Sequence, residues 1–328
     1  MKTVLSGIRP TGNLHLGNYY GALRNFIKMQ ESEQCFFFIA DLHSLTTHPK
    51  PEDFHGNVMQ IMAEYLAAGL DSDKCTLYVQ SDVPEISEMC ILLNMQAYVG
   101  ELERTASFKE KVRLHPNNVN AGLLTYPVLM ASDILAHRAH YVPVGKDQEQ
   151  HLELTRVFAR RFNNFYGATL FPEPEAYNFG HELIKIPGLD GSGKMGKSEG
   201  NGIFLTDDEA SIHKKVKKAV TDTGEKVGTE MSEPVKNLFT IMTAVSTPEV
   251  VAFYRNAYDN GAIRYGDMKK QLADDICSVT QPIRTRINEL VRDENFLHQV
   301  RLKGAAKARA SAASTLGEMK KLMGFRTI

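Results

Sequence analysis

The chain contains no tryptophan, so it carries no indole chromophore of its own. It is also poor in cysteine: Cys35, Cys75, Cys90 and Cys277 are widely scattered, with no C-x-x-C pair. That spacing suggests neither a disulfide framework nor a zinc site, and we read four reduced, mostly buried thiols. Long apolar runs are missing too. Nothing approaches the roughly 20 residues of a membrane span, and Met1 to Gly7 is too short an apolar start for a secretory signal. A cytoplasmic location without membrane association is therefore expected. A large charge of either sign is the last absence, since the formal net charge is −1. This argues against a protein coated in positive charge, yet a local basic surface needs no global excess. Between 261 and 328, 13 Lys and Arg stand against 7 Asp and Glu, which fits either a nucleic-acid contact or a solvated helix surface.

What is present is an ordinary globular composition, 43% apolar and 23% charged over 328 residues, enough for two domains. The first two-thirds alternates β-rich runs at 3–6, 35–40, 76–80, 141–144 and 183–186 with helical patterns at about 18–29, 53–68, 86–97, 121–137 and 148–162. That alternation predicts an α/β fold with a parallel sheet. After Thr206 the strand signal fades and helices follow, the last over 301–322. There is no internal repeat and no low-complexity tract.

Four segments carry candidate chemistry. Gly7, Gly12 and Gly17 leave room for a ligand at the end of the first strand, with His15 and Asn18 at the start of a helix, where phosphates are favoured. Tyr126, Met130 and Asp133 project from one face of an apolar helix. A buried carboxylate needs a donor, which is either a neighbouring protein group or a ligand N–H. Gly145 permits close backbone approach, and Asp147 either caps a helix or accepts from ribose hydroxyls. Finally, Gly191 to Ser198 matches G-x-x-x-x-G-K-[ST], the phosphate loop of P-loop NTPases. Its flanks disagree: Pro187-Gly188 separates it from any strand, and Gly200 and Gly202 stand where a helix should begin, at about 1 kcal/mol each.

Shifted by three residues, the same loop reads Lys194-Met195-Gly196-Lys197-Ser198, one substitution from the mobile lysine loop of class I aminoacyl-tRNA synthetases. His15-Leu16-Gly17-Asn18 after Pro10-Thr11-Gly12 resembles the other signature of that class, in the form found in the tryptophanyl-tRNA synthetase family. Tyr126-Pro127-Val128-Leu129-Met130-Ala131-Ser132-Asp133 is similar to that family's amino-acid specificity helix. Val142 to His151 is similar to its V-G-E-D-Q-x-x-H segment, with Lys146 where glutamate is usual. Asp41 to Thr46 and Phe108 to Lys111 resemble two shorter family segments.

The resemblance covers nearly the whole chain. It implies a Rossmann-like nucleotide-binding catalytic domain over 1–205, with an insertion at about 82–125, and a mainly helical tRNA-binding domain over 206–328. It implies activation of L-tryptophan by ATP with Mg²⁺, transfer to tRNA(Trp), and a homodimer. ATP would meet Arg9, Pro10, Thr11, Gly17, Asn18, Gly145, Lys146, Asp147, Ile186 and the loop 194–198. Tryptophan would meet Gly7, His43, Tyr126, Met130, Asp133 and Gln148, with Asp133 on the indole nitrogen. Lys194, Lys197, Ser198, His15 and Lys111 would act in catalysis. No metal ligands are expected. Gly196, where serine is usual, is expected to loosen the loop, and Arg9 stands where glutamine is common. A tyrosyl-tRNA synthetase, a P-loop NTPase and a synthetase-like protein without charging activity are the alternatives.

Overall fold

The apolar run from Cys35 lacks polar alternation, which suits a strand covered by helices on both faces. In the computed structural model, which describes residues 1–114, 116–145, 148–177, 184–197, 199–222 and 231–326, it forms β2 (Gln34–Ile39), an inner strand of a five-stranded sheet. Cys35, Phe37 and Ile39 enter one core while Phe36 and Phe38 enter the other. Each such fully buried side chain contributes roughly 1.5–3 kcal/mol.

The chain opens with β1 (Thr3–Ile8), α1 (Leu16–Asn18), a π-helical turn at Tyr19–Leu23 and α2 (Arg24–Met29). After β2 come α3 (Asp41–Ser44), α4 (Pro51–Ala67) and β3 (Thr76–Val79). The excursion that follows holds α5 (Pro84–Asn94), α6 (Val99–Leu102), α7 (Ala106–Leu114) and α8 (Ala121–Ala136), and ends in β4 (Tyr141–Val142). Then α9 (Glu149–Tyr166) leads to β5 (Glu175–Ala176). The remainder is helical: α10 (Glu209–Lys217), α11 (Glu233–Val245), α12 (Pro248–Asp259), α13 (Tyr265–Arg292) and α14 (Glu294–Leu322). Local chemistry sets several ends. Pro51 with Glu52 and Asp53 opens α4, and Gly167, at φ 61°, closes α9 in a left-handed turn.

All strands pair in parallel in the order β3-β2-β1-β4-β5, with β1 and β2 in register from Thr3↔Gln34 to Ile8↔Ile39. The chain steps outward from β1 to β3 and then crosses to the far side of β1. That reversal leaves a crevice beyond the carboxyl ends of β1 and β4, where open α/β sheets take ligands. The last helix returns to this sheet. Gly304 lies so close to Leu77 that an added Cβ would collide with the Leu77 carbonyl, and Ala308, Ala312 and Leu316 join the second core. Tyr78 Oη and Ser311 Oγ each lie 3.0 Å from a nitrogen of buried His137, tying α14 to β3 and α8.

Two expectations about strands fail. Described residues 184–186 form no strand; the Ile186 carbonyl instead accepts from Met195 N–H at 3.2 Å, tying it to the lysine loop. The fifth strand is Glu175–Ala176, exposed and without an apolar pattern, held by main-chain pairing to β4. Also, β4 ends before Pro143, which has no N–H for a ladder. Among the described residues no helix is long and apolar enough to cross a membrane.

Candidate active site

A cavity of about 450 Å³ occupies the crevice between β1 and β4. All six residues expected to hold the amino acid, Gly7, His43, Tyr126, Met130, Asp133 and Gln148, line it. Asp133 is 1% exposed. Its Oδ1 accepts from Gln80 Nε2 at 2.8 Å, and its Oδ2 accepts from His43 Nε2 at 2.8 Å and from Gln80 at 3.0 Å. Protein donors therefore hold the carboxylate, and its four lone-pair sites leave room for one more N–H from the cavity. Burial pushes its pKa up, opposed by His43 and Gln80. The Tyr126 ring packs edge-on against His43 at 4.7 Å between centroids and offers an aromatic surface to the cavity.

Cations line the same cavity: Arg9, Lys194 and Lys197, together with Thr11, Asn18, Met195 and Gly196. His15 is buried, and its Nδ1 accepts from Asn18 N–H at 3.2 Å while Asn18 Oδ1 accepts from His15 N–H at 3.1 Å. His15 therefore caps α1. The cap also fixes the tautomer, because burial and the two lysines push the imidazole pKa down to about 4. A neutral ring that accepts at Nδ1 carries its proton on Nε2, as a donor.

The glycines do other work than clearing space for a ligand. A Cβ on Gly7 would strike the Phe38 ring, and one on Gly17 would lie 2.8 Å from the His15 ring. Gly12 is free on all sides but has φ +97°, which only glycine adopts cheaply.

The loop reading is decided by its surroundings. Residues 184–188 form no strand, and 199–203 form no helix, so the Walker geometry is missing. Buried Asn201 is the organiser instead: its Nδ2 donates to Asp190 Oδ1 (3.1 Å), Ser192 Oγ (3.0 Å) and Lys194 O (3.2 Å), while its Oδ1 accepts from Gly196 N–H (3.0 Å). The Gly196 N–H is thus tied to the Asn201 side chain. A side chain there would press on Glu199, 2.7 Å away. Lys197 Nζ donates to Gly12 O at 2.8 Å, and burial lowers its pKa to about 8.

Residues 1–280 match the family described as tRNA synthetases class I (W and Y). The chain is 61% identical over 327 residues to a tryptophan–tRNA ligase from Porphyromonas gingivalis, covering 99% of this chain and 100% of the relative. It belongs to this family of class I tRNA synthetases. A Clostridium tetani tryptophan–tRNA ligase is 40% identical, across 99% of this chain and 96% of its own length. Among solved structures, the tryptophanyl-tRNA synthetase of Campylobacter jejuni complexed with ADP and tryptophan superposes with a TM-score of 0.89 at 34% identity, covering 98% of this chain and 100% of that one.

Not every expected residue of this synthetase reaches the cavity. Pro10, Gly17, Gly145 and Ile186 are not among the lining side chains. Lys111 stands just outside, its ammonium 4.6 Å from the centre of the Tyr126 ring. Lys146, Asp147 and Ser198 fall outside the described residues. Gln80, Asn201 and Glu64 were missed by the sequence reading of the synthetase. Glu64 had a signal, a lone acid inside the apolar run from Ile61 to Leu66. Gln80 had a weaker one, a polar residue ending an apolar strand.

Proposed function

We propose that this synthetase is a tryptophan–tRNA ligase, and one observation carries the reading: a buried, ionisable Asp133 and the Tyr126 ring line the same cavity as Arg9, Lys194 and Lys197. An indole N–H only donates, which an acceptor-only carboxylate matches and which a phenol matches less selectively. The cations suit a triphosphate. The tryptophan carboxylate is already an anion, so attack on the α-phosphate of ATP needs no side-chain base. Pyrophosphate leaves as Lys194, Lys197 and neutral His15 donate to the charge that builds there. The adenylate then passes its acyl group to the terminal ribose of tRNA(Trp), at the 2′-hydroxyl.

Mg²⁺ belongs on the phosphates of the ATP substrate in this reading. Among the described residues no three His, Cys, Asp or Glu side chains group as a metal site, and Mg²⁺ is commonly held by substrate phosphates and water. The helices after 205 would carry the tRNA contact. Lys214, Lys217, Lys269 and Lys270 share one groove between α10 and α13, a basic surface of the kind phosphates neutralise. A homodimer is supported by Ile91, Met95, Tyr98 and Val99, which are 58–73% exposed on α5, α6 and their link.

Amino-acid-dependent ATP–pyrophosphate exchange tests the substrate. Tryptophan should drive it and tyrosine should not. Exchange with tyrosine alone overturns the assignment, and amino-acid-independent ADP formation would return the loop to the P-loop class.

A further inference from the structure

Beneath the amino-end turn lies an acid that the reaction scheme does not use. Glu64, on α4, is 0% exposed. Its Oε2 accepts the Leu14 N–H at 2.7 Å and its Oε1 accepts Gln60 Nε2 at 2.9 Å. Leu14 sits two residues after Gly12, whose carbonyl holds the Lys197 ammonium at 2.8 Å, and one before His15. The turn is thus held by the carboxylate at Leu14 and by the lysine at Gly12. The next segment completes the clamp, because Leu16 N–H donates to Ile203 O and Leu205 N–H to Leu14 O, at 2.9 and 2.8 Å.

We propose that Glu64 is a positioning residue for adenylation, fixing the Gly12–His15 turn through Leu14 and with it the Gly12 carbonyl that holds the Lys197 ammonium. The inference rests on Lys197 being a phosphate partner. A buried anion close to a buried ammonium favours the charged lysine, while neighbouring cations oppose it. The groups facing Lys197 are Glu64, Arg9 and His15, with Lys194 also beside His15. Those facing Glu64 are Lys197, Gln60 and its chain neighbour Tyr65. Burial raises the Glu64 pKa to about 7, against the opposing pull of the bonds from Gln60 and Leu14 and of the Lys197 charge. The acid thus ionises just below the pH at which the lysine loses its proton.

Glu64→Gln separates the bond to the turn from the charge beside Lys197, since the amide oxygen still accepts from Leu14 while the charge is gone. The readout is the basic limb of kcat/KM for ATP in tryptophan-dependent pyrophosphate exchange, which reports ionisations of the free enzyme. In the variant that limb moves to lower pH by about half a unit or more, so that activity above it drops at least about threefold relative to the wild type. Tryptophan affinity and the melting temperature stay close to wild type. Gln60→Ala, which removes only one bond to the carboxylate and favours its neutral form, shifts the limb the same way by less, and serves alone if Glu64→Gln does not fold. A limb that stays put in the folded variants overturns the proposal, even if activity falls uniformly. Lys197→Met is the control: if it leaves exchange intact, the reading of Lys197 fails on its own, whatever Glu64 does.

Discussion

Replacing Asp133 with asparagine isolates what a charge contributes to indole recognition. The side chain keeps its shape and one acceptor, but its other oxygen becomes an NH₂ facing donors. Because Oδ2 takes both His43 and Gln80 while Oδ1 takes only Gln80, an NH₂ at the Oδ1 position removes one of the two Gln80 contacts, at about 1 kcal/mol. Burial works in the opposite direction. The folded pKa of Asp133 is raised, so ionisation weakens folding as pH climbs above the unfolded value of about 3.9, and the amide escapes that penalty. The two effects offset, and the net change in stability near neutral pH should stay below about 2 kcal/mol. Tryptophan binding has no such compensation. A hydrogen bond to a charged acceptor is worth about 1.5–3 kcal/mol, so the dissociation constant should rise roughly 10–150-fold. Titration is unusually clean here, because the absence of tryptophan from the chain leaves the ligand as the only indole fluorophore. A folded Asp133→Asn variant that binds tryptophan within about threefold of wild type would refute the assignment of Asp133 to the indole nitrogen.

Lys194→Met and Lys197→Met should each depress pyrophosphate exchange by about 10²–10³-fold while leaving tryptophan binding nearly unchanged; equal loss of both would sink the assignment of these lysines to the phosphates. Gly304→Ala forces a methyl group into the Leu77 carbonyl, and should cost about 1–3 kcal/mol or more through α14, seen as a lower melting temperature; an unchanged melting curve refutes that packing. His15 and His137 have folded pKa values pushed down to about 4 and about 3 by burial. The unfolded chain therefore takes up protons that the folded chain refuses, and stability should fall as pH drops below about 6.5; a melting temperature that does not fall between about pH 7 and about pH 5 contradicts this.

The long elements were legible because their patterns are local. A run such as Cys35 to Ala40 reads as a doubly covered strand whatever surrounds it, and α4, α5, α8 and α9 begin and end within a few residues of expectation. The sheet's edge was not legible. Glu175–Ala176 is a strand only because β4 offers it main-chain partners, and no side-chain periodicity announces such a pairing. Ile186 misled for the converse reason: its apolar character serves burial beside the lysine loop instead of a ladder.

The division at the site is similar. Residue identity made His15, Asp133 and the two lysines candidates, and the family resemblance gave them their roles. The flanks of Gly191 to Ser198 already spoke against the Walker reading in the sequence, and described residues 184–188 and 199–203, which form neither strand nor helix, agree. What holds these groups came only from the tertiary structure. Gln80 and His43 reach Asp133 from 53 and 90 residues away, Glu64 reaches Leu14 across 50, and Lys197 reaches Gly12 across 185. A buried polar group must find its partner wherever the fold brings one, and sequence separation carries no record of that choice.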